Sequence, residues 1–244
     1  MLDKKHLMIQ QLTREFAVNE IEPCIDYAEE HGEFPEELWE KAARYGFTGC
    51  CIPKEYGGQG ADFFSSILMM EQICRTSVGA ASMFMANSLS GMPILKCGTE
   101  EQKQKYLRPV AEGTKRCAFA LTEPGAGSDT GSIITTAHQD GDDFILNGRK
   151  TFITFAPKAK YTSIFAKTSP EKGVKGITCF MVDMDTPGVS LGKPEEKMGQ
   201  RGVPVSDIIL EDVRVPKDCI LGKVDEGFIN AMKTLDLGSI GVAA

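Results

Sequence analysis

The residue types best suited to chemistry stand in a short run, Phe152-Ile153-Thr154, that has the pattern of a strand end. Side chains alternate between the two faces of a strand, so Phe152 and Thr154 are predicted to share one face, with Ile153 on the other. That face suits a flat heteroaromatic ligand, which packs on the ring while the hydroxyl or N–H of Thr154 bonds its edge. A core-facing Phe152 with a solvent-facing Thr154 is the alternative, which this pair alone leaves open.

A glycine-rich loop with the sequence LTEPGAGSD, residues 121–129, precedes this run. Gly125 and Gly127 let the backbone come close to a ligand and permit a positive φ. Thr122 and Ser128 add hydroxyl groups, and exposed N–H groups in such loops form concavities that bind anions. A hairpin loop would also explain the glycines, but not the flanking Pro and Asp in this order. The loop and the strand end therefore predict a site for a flat, anionic ligand.

The composition argues against several other classes of function. The chain has 244 residues and a formal net charge of −7, with no sustained run of Lys or Arg, so no nucleic-acid surface is expected. Its eight cysteines include no C-x-x-C pair and its three histidines are scattered, so no metal site is predicted. With no secretory signal at the start, we expect reduced thiols in a cytoplasm.

An uncharged segment, residues 76–95, raises the question of a membrane span. It contains several polar side chains together with Gly79, Gly91 and Pro93, whereas a lipid-facing helix is more uniformly apolar. We therefore predict buried helices of a soluble core and no membrane span.

Helical periodicity extends over roughly the first 110 residues. A long amphipathic helix is predicted over 3–30, and Pro23 is expected to kink or divide it because proline lacks the N–H that a helix needs. Further helices are predicted over 62–96, with breaks near Gly79 and Gly91.

The periodicity becomes alternating from Lys115 onward. Asp140-Gly141 and Asn147-Gly148 are predicted to form hairpin turns. The predicted strands are 116–121, 132–138, 143–147, 149–154, 161–167, 176–183 and 205–215. Such short strands without intervening helices predict a small antiparallel barrel or sandwich. A helical pattern returns at Asp225, so the predicted fold class is α+β, with several domains.

Several long motifs resemble those of the acyl-CoA dehydrogenase family. LTEPGAGSD is followed after a hairpin by RKTFIT, and then by TPGVSLGKPEEKMGQRG and LEDVRVPKDCILG. GTEEQKQKYL and EGFINAMKTLDLGSIGVAA are also similar, so the resemblance covers essentially the whole chain in order. It implies an N-terminal all-helical domain over 1–113, a middle β-domain over 114–223 and the start of a C-terminal helical domain over 224–244.

The resemblance implies FAD as the cofactor. Thr154 would lie at the N5 edge of the flavin, Phe152 would pack against the isoalloxazine ring, and Ser128 would reach both the pyrophosphate and the acyl-CoA. The implied FAD contacts are Phe119, Ala120, Leu121, Thr122, Gly127, Ser128, Phe152, Ile153 and Thr154. The implied acyl-CoA contacts are Ser128, Asp236, Leu237, Gly238 and Ser239.

The reaction of the family is α,β-dehydrogenation of an acyl-CoA thioester, with electrons passed to an electron-transfer flavoprotein. The resemblance implies an oxidoreductase of this kind, a homo-oligomer (dimer or tetramer), in the cytoplasm of a bacterium rather than in a mitochondrial matrix. Two alternatives stay open. One is a non-catalytic remnant that binds acyl-CoA or flavin, and the other is a related flavoenzyme, an acyl-CoA oxidase or an enoyl-CoA reductase.

Three departures from the family pattern qualify this expectation. The sequence stops at Ala244, before the helices that usually carry the catalytic carboxylate, so we expect a fragment, a truncated product or half of a split enzyme and name no catalytic residue. Ser239 stands where the family usually has an arginine. Phe155-Ala156 replaces the usual Asn-Gly after FIT, beside the flavin edge.

Overall fold

The first part of the chain is helical, as its periodicity predicts. The computed structural model describes residues 2–243, apart from the side chain of Leu237. Its α-helices are α1 (Lys4–Phe16), α2 (Ile25–His31), α3 (Glu36–Arg44), α4 (Phe63–Cys74), α5 (Val78–Cys97), α6 (Glu100–Gln102), α7 (Arg108–Ala111) and α8 (Gly227–Ala243). The N-terminal helices share an apolar core that contains Phe16, Trp39 and Phe84.

The predicted division of the first helix at Pro23 is confirmed. α1 continues into a π-helical segment, Ala17–Ile21, and then into a 3-10 turn, Glu22–Cys24, before α2 begins. Proline has no N–H to donate, which explains why regular α-helical bonding does not cross this point.

Of the two breaks predicted between 62 and 96, only the first exists. α4 and α5 are separated at 75–77, just before Gly79, and the Ser77 hydroxyl caps α5 by accepting the N–H of Ala80. The break predicted near Gly91 is wrong, because α5 runs through it to Cys97. A Cβ on Gly91 would lie 3.4 Å from Leu107, so this glycine allows close helix packing rather than a turn.

Helix α5 is long and apolar enough to cross a membrane if only length and composition are considered, with a mean hydropathy of 1.2. However, 61% of its apolar stretch is buried inside the fold. It contacts α4, α8 and the first strand of the sheet. This packing agrees with the prediction of a buried core helix.

The second part of the chain forms one curled seven-stranded sheet, which confirms the α+β class. Its strands are β1 (Cys117–Ala120), β2 (Thr136–Asp140), β3 (Asp143–Thr154), β4 (Tyr161–Lys167), β5 (Ile177–Asp183), β6 (Val189–Leu191) and β7 (Val205–Pro216). The order is β1-β4-β2-β3-β7-β6, with β5 also on β4. Most pairings are antiparallel, as expected, but β4 pairs in parallel with β1 and β2.

The hairpin predicted at Asn147-Gly148 is wrong, because β3 continues through it, and only the facing strand β7 bulges there, with Glu211 and Asp212 opposite Asn147. The Asn147 side chain exchanges hydrogen bonds with Asp212 of β7, at 3.0 and 2.8 Å. Gly148 takes a φ of 152°, and a Cβ on it would lie 2.5 Å from the hydroxyl of Thr135. The glycine is therefore required by a close approach. The turn predicted at Asp140-Gly141 does join β2 to β3.

Two contacts fix the sheet against the helices. Phe155, directly after β3, is buried among the helices with its ring 5.6 Å from that of Trp39. The Arg116 guanidinium lies over both rings, at 4.7 Å from Trp39 and 5.5 Å from Phe155. On α8, a Cβ at Gly227 would lie 2.6 Å from the carbonyl carbon of Thr178 in β5. Phe155 thereby holds the end of β3 against an apolar core that includes residues of α3, α4 and α5.

Candidate functional site

Strand β3 ends in a bulge that turns one aromatic ring out to solvent. The register of β3 on β7 shifts between Lys150 and Ile153. Thr151 and Phe152 therefore face Asp207 together. Phe152 takes a φ of 56° and is 64% exposed. The core-facing alternative for Phe152 is wrong, and strained non-glycine backbone of this kind concentrates at functional sites.

Asp207 holds this bulge. Its carboxylate accepts a hydrogen bond from the Thr151 hydroxyl at 2.6 Å and one from Nε of Arg149, also at 2.6 Å. Burial works against ionisation of Asp207, but these two donors and the N–H of Phe152 outweigh it and keep its pKa below the ordinary value. The carboxylate is thus a fixed negative charge bonded to the backbone of the bulge that carries Phe152.

Thr154 opens onto a cleft between the sheet and the helices. The cleft has a volume of about 310 Å³ and is lined by residues of α4, α5 and α8 and by the loop before β7. Lys197 and Gln200 are polar residues of the lining. The Nζ of Lys197 donates to the carbonyl of Gln200 at 2.8 Å. Burial lowers the pKa of Lys197. Two hydroxyl-bearing residues line this space: Thr154, half-buried at the end of β3, and Ser82, whose hydroxyl donates to the Gln200 side chain at 2.9 Å.

A second, narrower cavity of about 60 Å³ adjoins the cleft. It shares Met70, Met85 and Gly241 with the cleft and is otherwise mostly apolar, with Phe63 and Leu89 among its walls. Within residues 2–243, no Asp or Glu lines either cavity. The two spaces together suit an apolar chain with a polar end near Thr154, and they offer no carboxylate as a base.

The glycine-rich loop lies beside the bulge. The N–H of Thr151 donates to the carbonyl of Thr122 at 3.0 Å, which ties the start of the loop to β3. A Cβ on Gly125 or Gly127 would meet nothing within 4 Å, and neither glycine takes a positive φ. These glycines therefore leave open space beside the backbone, and neither adopts the positive φ that glycine permits. Ser128 is exposed in the same loop.

Several other predicted FAD-contacting residues have buried side chains. Ala120 is fully buried, Leu121 is 7% exposed and Ile153 is 2% exposed, so these three can reach a ligand only through their backbone. Phe119 is half-buried, with its ring 5.0 Å from that of Phe165. Thr122 is half-buried at the start of the loop. The structure thus brings the β1 end, the loop and the β3 end together on one side of the sheet.

The residues predicted on α8 are more dispersed. Gly238 packs against Leu89 of α5 and lines the narrower cavity. Asp236 and Ser239 are exposed and line neither cavity, and the Ser239 hydroxyl donates to the carbonyl of Leu235 at 2.8 Å. The side chain of Leu237 lies outside the described part of the chain.

Comparison with known families decides the classification. The family described as "Acyl-CoA dehydrogenase, N-terminal domain" matches residues 3–114, and "Acyl-CoA dehydrogenase, middle domain" matches residues 118–213. The chain belongs to the acyl-CoA dehydrogenase family. The two matches fall on the helical part and on the sheet that carry the cleft and the bulge.

Two curated relatives of this acyl-CoA dehydrogenase family member are notably similar. A 3-(aryl)acrylate reductase of Clostridium sporogenes is 55% identical over 99% of the chain. The caffeyl-CoA reductase–Etf complex subunit CarC of Acetobacterium woodii is 52% identical over 99% of the chain. The chain spans 64% of the length of each of these relatives.

Solved structures of the family share the fold. The butyryl-CoA dehydrogenase of Megasphaera elsdenii superposes with a TM-score of 0.95 at 38% identity, over the whole chain and 65% of the other protein. An acyl-CoA dehydrogenase of Bacillus anthracis solved in complex with FAD gives 0.91 at 37% identity, over 98% of the chain and 41% of the other protein.

Three functional candidates, Glu123, Lys150 and Asp207, were not predicted from the sequence. Lys150 is fully buried and its Nζ donates to Glu123 at 2.7 Å, next to the glycine-rich loop. The sequence contains only weak signals for this pair, a lysine between Arg149 and Thr151 in a mixed strand and an acid at the start of that loop. Neither signal identifies its partner, because the two residues stand 27 positions apart.

Proposed function

We propose that this chain binds FAD and an acyl-CoA thioester and takes part in α,β-dehydrogenation of the thioester, with electrons passed to an electron-transfer flavoprotein. The observation that carries the proposal is the strained, exposed Phe152 at the end of β3, two residues before the Thr154 hydroxyl at the cleft.

The residues present fit a flavin dinucleotide. Phe152 offers a free ring face for a flat ring system, and Thr154 offers a hydroxyl at the edge of that plane. The open backbone at Gly127 and the exposed Ser128 suit a pyrophosphate, because N–H groups in such loops bind anions. The stretch 119–122 would contribute mainly backbone groups, given the burial of Ala120 and Leu121. When bound, the flavin supplies the two-electron redox chemistry, and the protein orients it.

The acyl group would occupy the cleft of about 310 Å³, with its thioester end near Thr154. The CoA part would run from Ser128 towards Asp236, Leu237, Gly238 and Ser239 of α8. Exclusion of water from the apolar walls would strengthen hydrogen bonds to the thioester oxygen and so favour loss of the α proton. The base that takes this proton is not among the described residues that line the cleft.

A second candidate function is reduction of an α,β-unsaturated acyl-CoA, the same chemistry in the opposite direction. The observation that favours it is the 55% and 52% identity to relatives whose names are those of reductases. On this proposal the substrate is a 3-arylacryloyl thioester, and the partner that delivers electrons is again an electron-transfer flavoprotein. An oxidase and a non-catalytic remnant stay open as further alternatives.

Three further predictions stay proposals. The division into domains at 1–113, 114–223 and 224–244 is supported by the end of α7 at Ala111 and the start of β1 at Cys117. Assembly as a dimer or tetramer is expected from the family. Location in a bacterial cytoplasm is supported by the Clostridium and Acetobacterium relatives.

Anaerobic spectroscopy of the full-length protein, reconstituted with FAD, tests the proposal. Saturated acyl-CoA thioesters of different chain length should bleach the flavin absorbance if the chain is a dehydrogenase. Chemically reduced flavin that is reoxidised faster by a 3-arylacryloyl-CoA than by any aliphatic enoyl-CoA would favour the reductase. No flavin absorbance after reconstitution would contradict FAD binding, and bound flavin that reacts with no thioester would favour the remnant.

A further inference from the structure

The buried side chain of Glu123 bonds the far end of the loop 124–133, most of which is exposed. Its carboxylate accepts the N–H of Ile134 at 2.6 Å and the N–H of Thr135 at 3.0 Å, both at the far end of the loop. At the near end, Glu123 and Ala126 donate their N–H groups to each other's carbonyls, both at 3.0 Å. One buried carboxylate therefore joins the two ends of the loop that carries Gly127 and Ser128.

Lys150 connects the same carboxylate to strand β3. Its Nζ donates to Glu123 at 2.7 Å and to the carbonyl of Leu121 at 3.2 Å. The two side chains are 0% and 2% exposed, so water does not compete for these bonds. Lys150 stands two residues before Phe152 and four before Thr154 on the same strand. The pair thus links the loop directly to the segment that carries the exposed ring.

Stability alone does not account for this arrangement. Enclosing two charges costs desolvation that their attraction only partly offsets, and apolar pairs of similar volume are often as stable or more so. Burial lowers the pKa of Lys150 to about 8, while the Lys150 ammonium and the N–H of Ile134 overcome burial and hold the pKa of Glu123 below its ordinary value. The hydrogen bonds of this pair are directional, so they fix the relative positions of the segments that they join.

We propose that Glu123 and Lys150 are positioning residues that hold the exposed loop 124–133 at a fixed distance from residues 152–154, so that both segments contact one dinucleotide. The inference rests on the proposed function, since it takes both segments to be parts of a single FAD site. It predicts that loss of the pair loosens the loop and weakens FAD binding without unfolding the sheet.

The double variant Glu123→Leu with Lys150→Met tests this in the full-length protein. Removing both charges together leaves neither one buried without its partner, so the fold is expected to persist. In the apoprotein, hydrogen exchange of the Ile134 and Thr135 amides should become at least about tenfold faster, because these amides lose their acceptor. The Kd for FAD should rise about tenfold, since the loop must then be ordered on binding.

The visible circular dichroism of bound FAD reports the orientation of the flavin. It should stay unchanged if Glu123 and Lys150 only stabilise the fold, and change if they position the FAD site. It should change in the double variant and not in Lys160→Met, a control that removes a partly exposed lysine, directly before β4, from its ion pairs with Asp183 and Asp185. A double variant that folds and keeps wild-type exchange, Kd and dichroism overturns the inference.

A second variant covers the case in which the double variant does not fold. Glu123→Asp keeps the charge opposite Lys150 but shortens the reach to Ile134 and Thr135, so exchange and Kd should move in the same direction by a smaller factor. Unchanged values would overturn the inference. If the wild-type protein does not bind FAD, the first titration refutes the proposed function. Hydrogen exchange of the loop in the apoprotein would then be the measurement that shows whether Glu123 and Lys150 hold the loop in place.

Discussion

The pairing of β3 with β7 is bulged twice: Asn147 of β3 faces two residues of β7, Glu211 and Asp212, whereas Thr151 and Phe152 of β3 face the single residue Asp207. At the first bulge a glycine takes a φ of 152° because Thr135 leaves no room for a Cβ. At the second, a phenylalanine takes a φ of 56° although glycine would fit better, and its ring is 64% exposed. Packing thus explains the glycine at the first bulge, and on the β7 side the positive φ of 50° at Asp212 is held by its hydrogen bonds with the Asn147 side chain. The second has no packing explanation, which indicates that its residue was selected for what the ring contacts.

The largest effect is expected at the first bulge. Gly148→Ala should destabilise the protein by about 3 kcal/mol, because the new Cβ would lie 2.5 Å from the Thr135 hydroxyl and the backbone would be strained as well. Urea denaturation of the full-length protein measures this. Gly141→Ala is the matched control, with a φ of 64° and nothing within 4 Å, and should cost about 1 kcal/mol. Equal losses in the two variants would refute the packing explanation.

Asp207→Ala should have the next largest effect, about 2 kcal/mol, because it leaves the buried Thr151 hydroxyl without its acceptor. The pKa of Asp207 is held below the ordinary value, so its stabilising effect is present above about pH 4 and is lost as pH falls through the folded-state pKa. The stability difference between wild type and variant should therefore shrink in acid. Urea denaturation at neutral and acidic pH checks both statements, and a difference that grows in acid would contradict them.

Phe152→Ala separates function from stability at the second bulge. The free energy of unfolding should change by less than about 0.5 kcal/mol, since the ring is largely exposed. The Kd for FAD should rise about tenfold through loss of ring stacking. Phe152→Trp should restore most of the affinity, because either ring stacks. A variant that loses stability but binds FAD normally would show that the ring serves packing after all.

Thr154→Val should have the smallest effect, a rise in the Kd for FAD or a slowing of flavin reduction of about fivefold, which corresponds to one hydrogen bond. Stopped-flow absorbance with acyl-CoA measures the rate. Thr136→Val, at an exposed position of β2, is the control and should change neither quantity. Wild-type binding and kinetics in Thr154→Val would remove the hydroxyl from the proposed site.

The sequence was sufficient where a local pattern determines the structure. Pro23 divides its helix, and Asp140-Gly141 turns β2 into β3. Ile153 is buried as predicted, but Phe152 is exposed through a bulge that alternation alone does not predict. The hairpin prediction at Asn147-Gly148 failed because the same dipeptide is compatible with a hairpin turn and with a bulged pairing. Which of the two forms depends on contacts with Thr135 and with β7, which is distant in sequence.

Side-chain pairs between residues that are distant in the sequence could not be predicted for the same reason. Nothing local indicates that Lys150 is buried or that Glu123, 27 positions earlier, is its partner. The same holds for Thr151 and Asp207, which stand 56 positions apart. The residue types of the candidate site could be predicted from its motifs, whereas the charges that hold those motifs together become visible only in the folded chain.

Titration of FAD into the wild-type apoprotein, followed by quenching of flavin fluorescence, tests the central claim most directly. The account predicts saturable binding of one FAD per chain, with strong quenching as the ring stacks on Phe152. Absence of saturable binding by a folded full-length protein would contradict it.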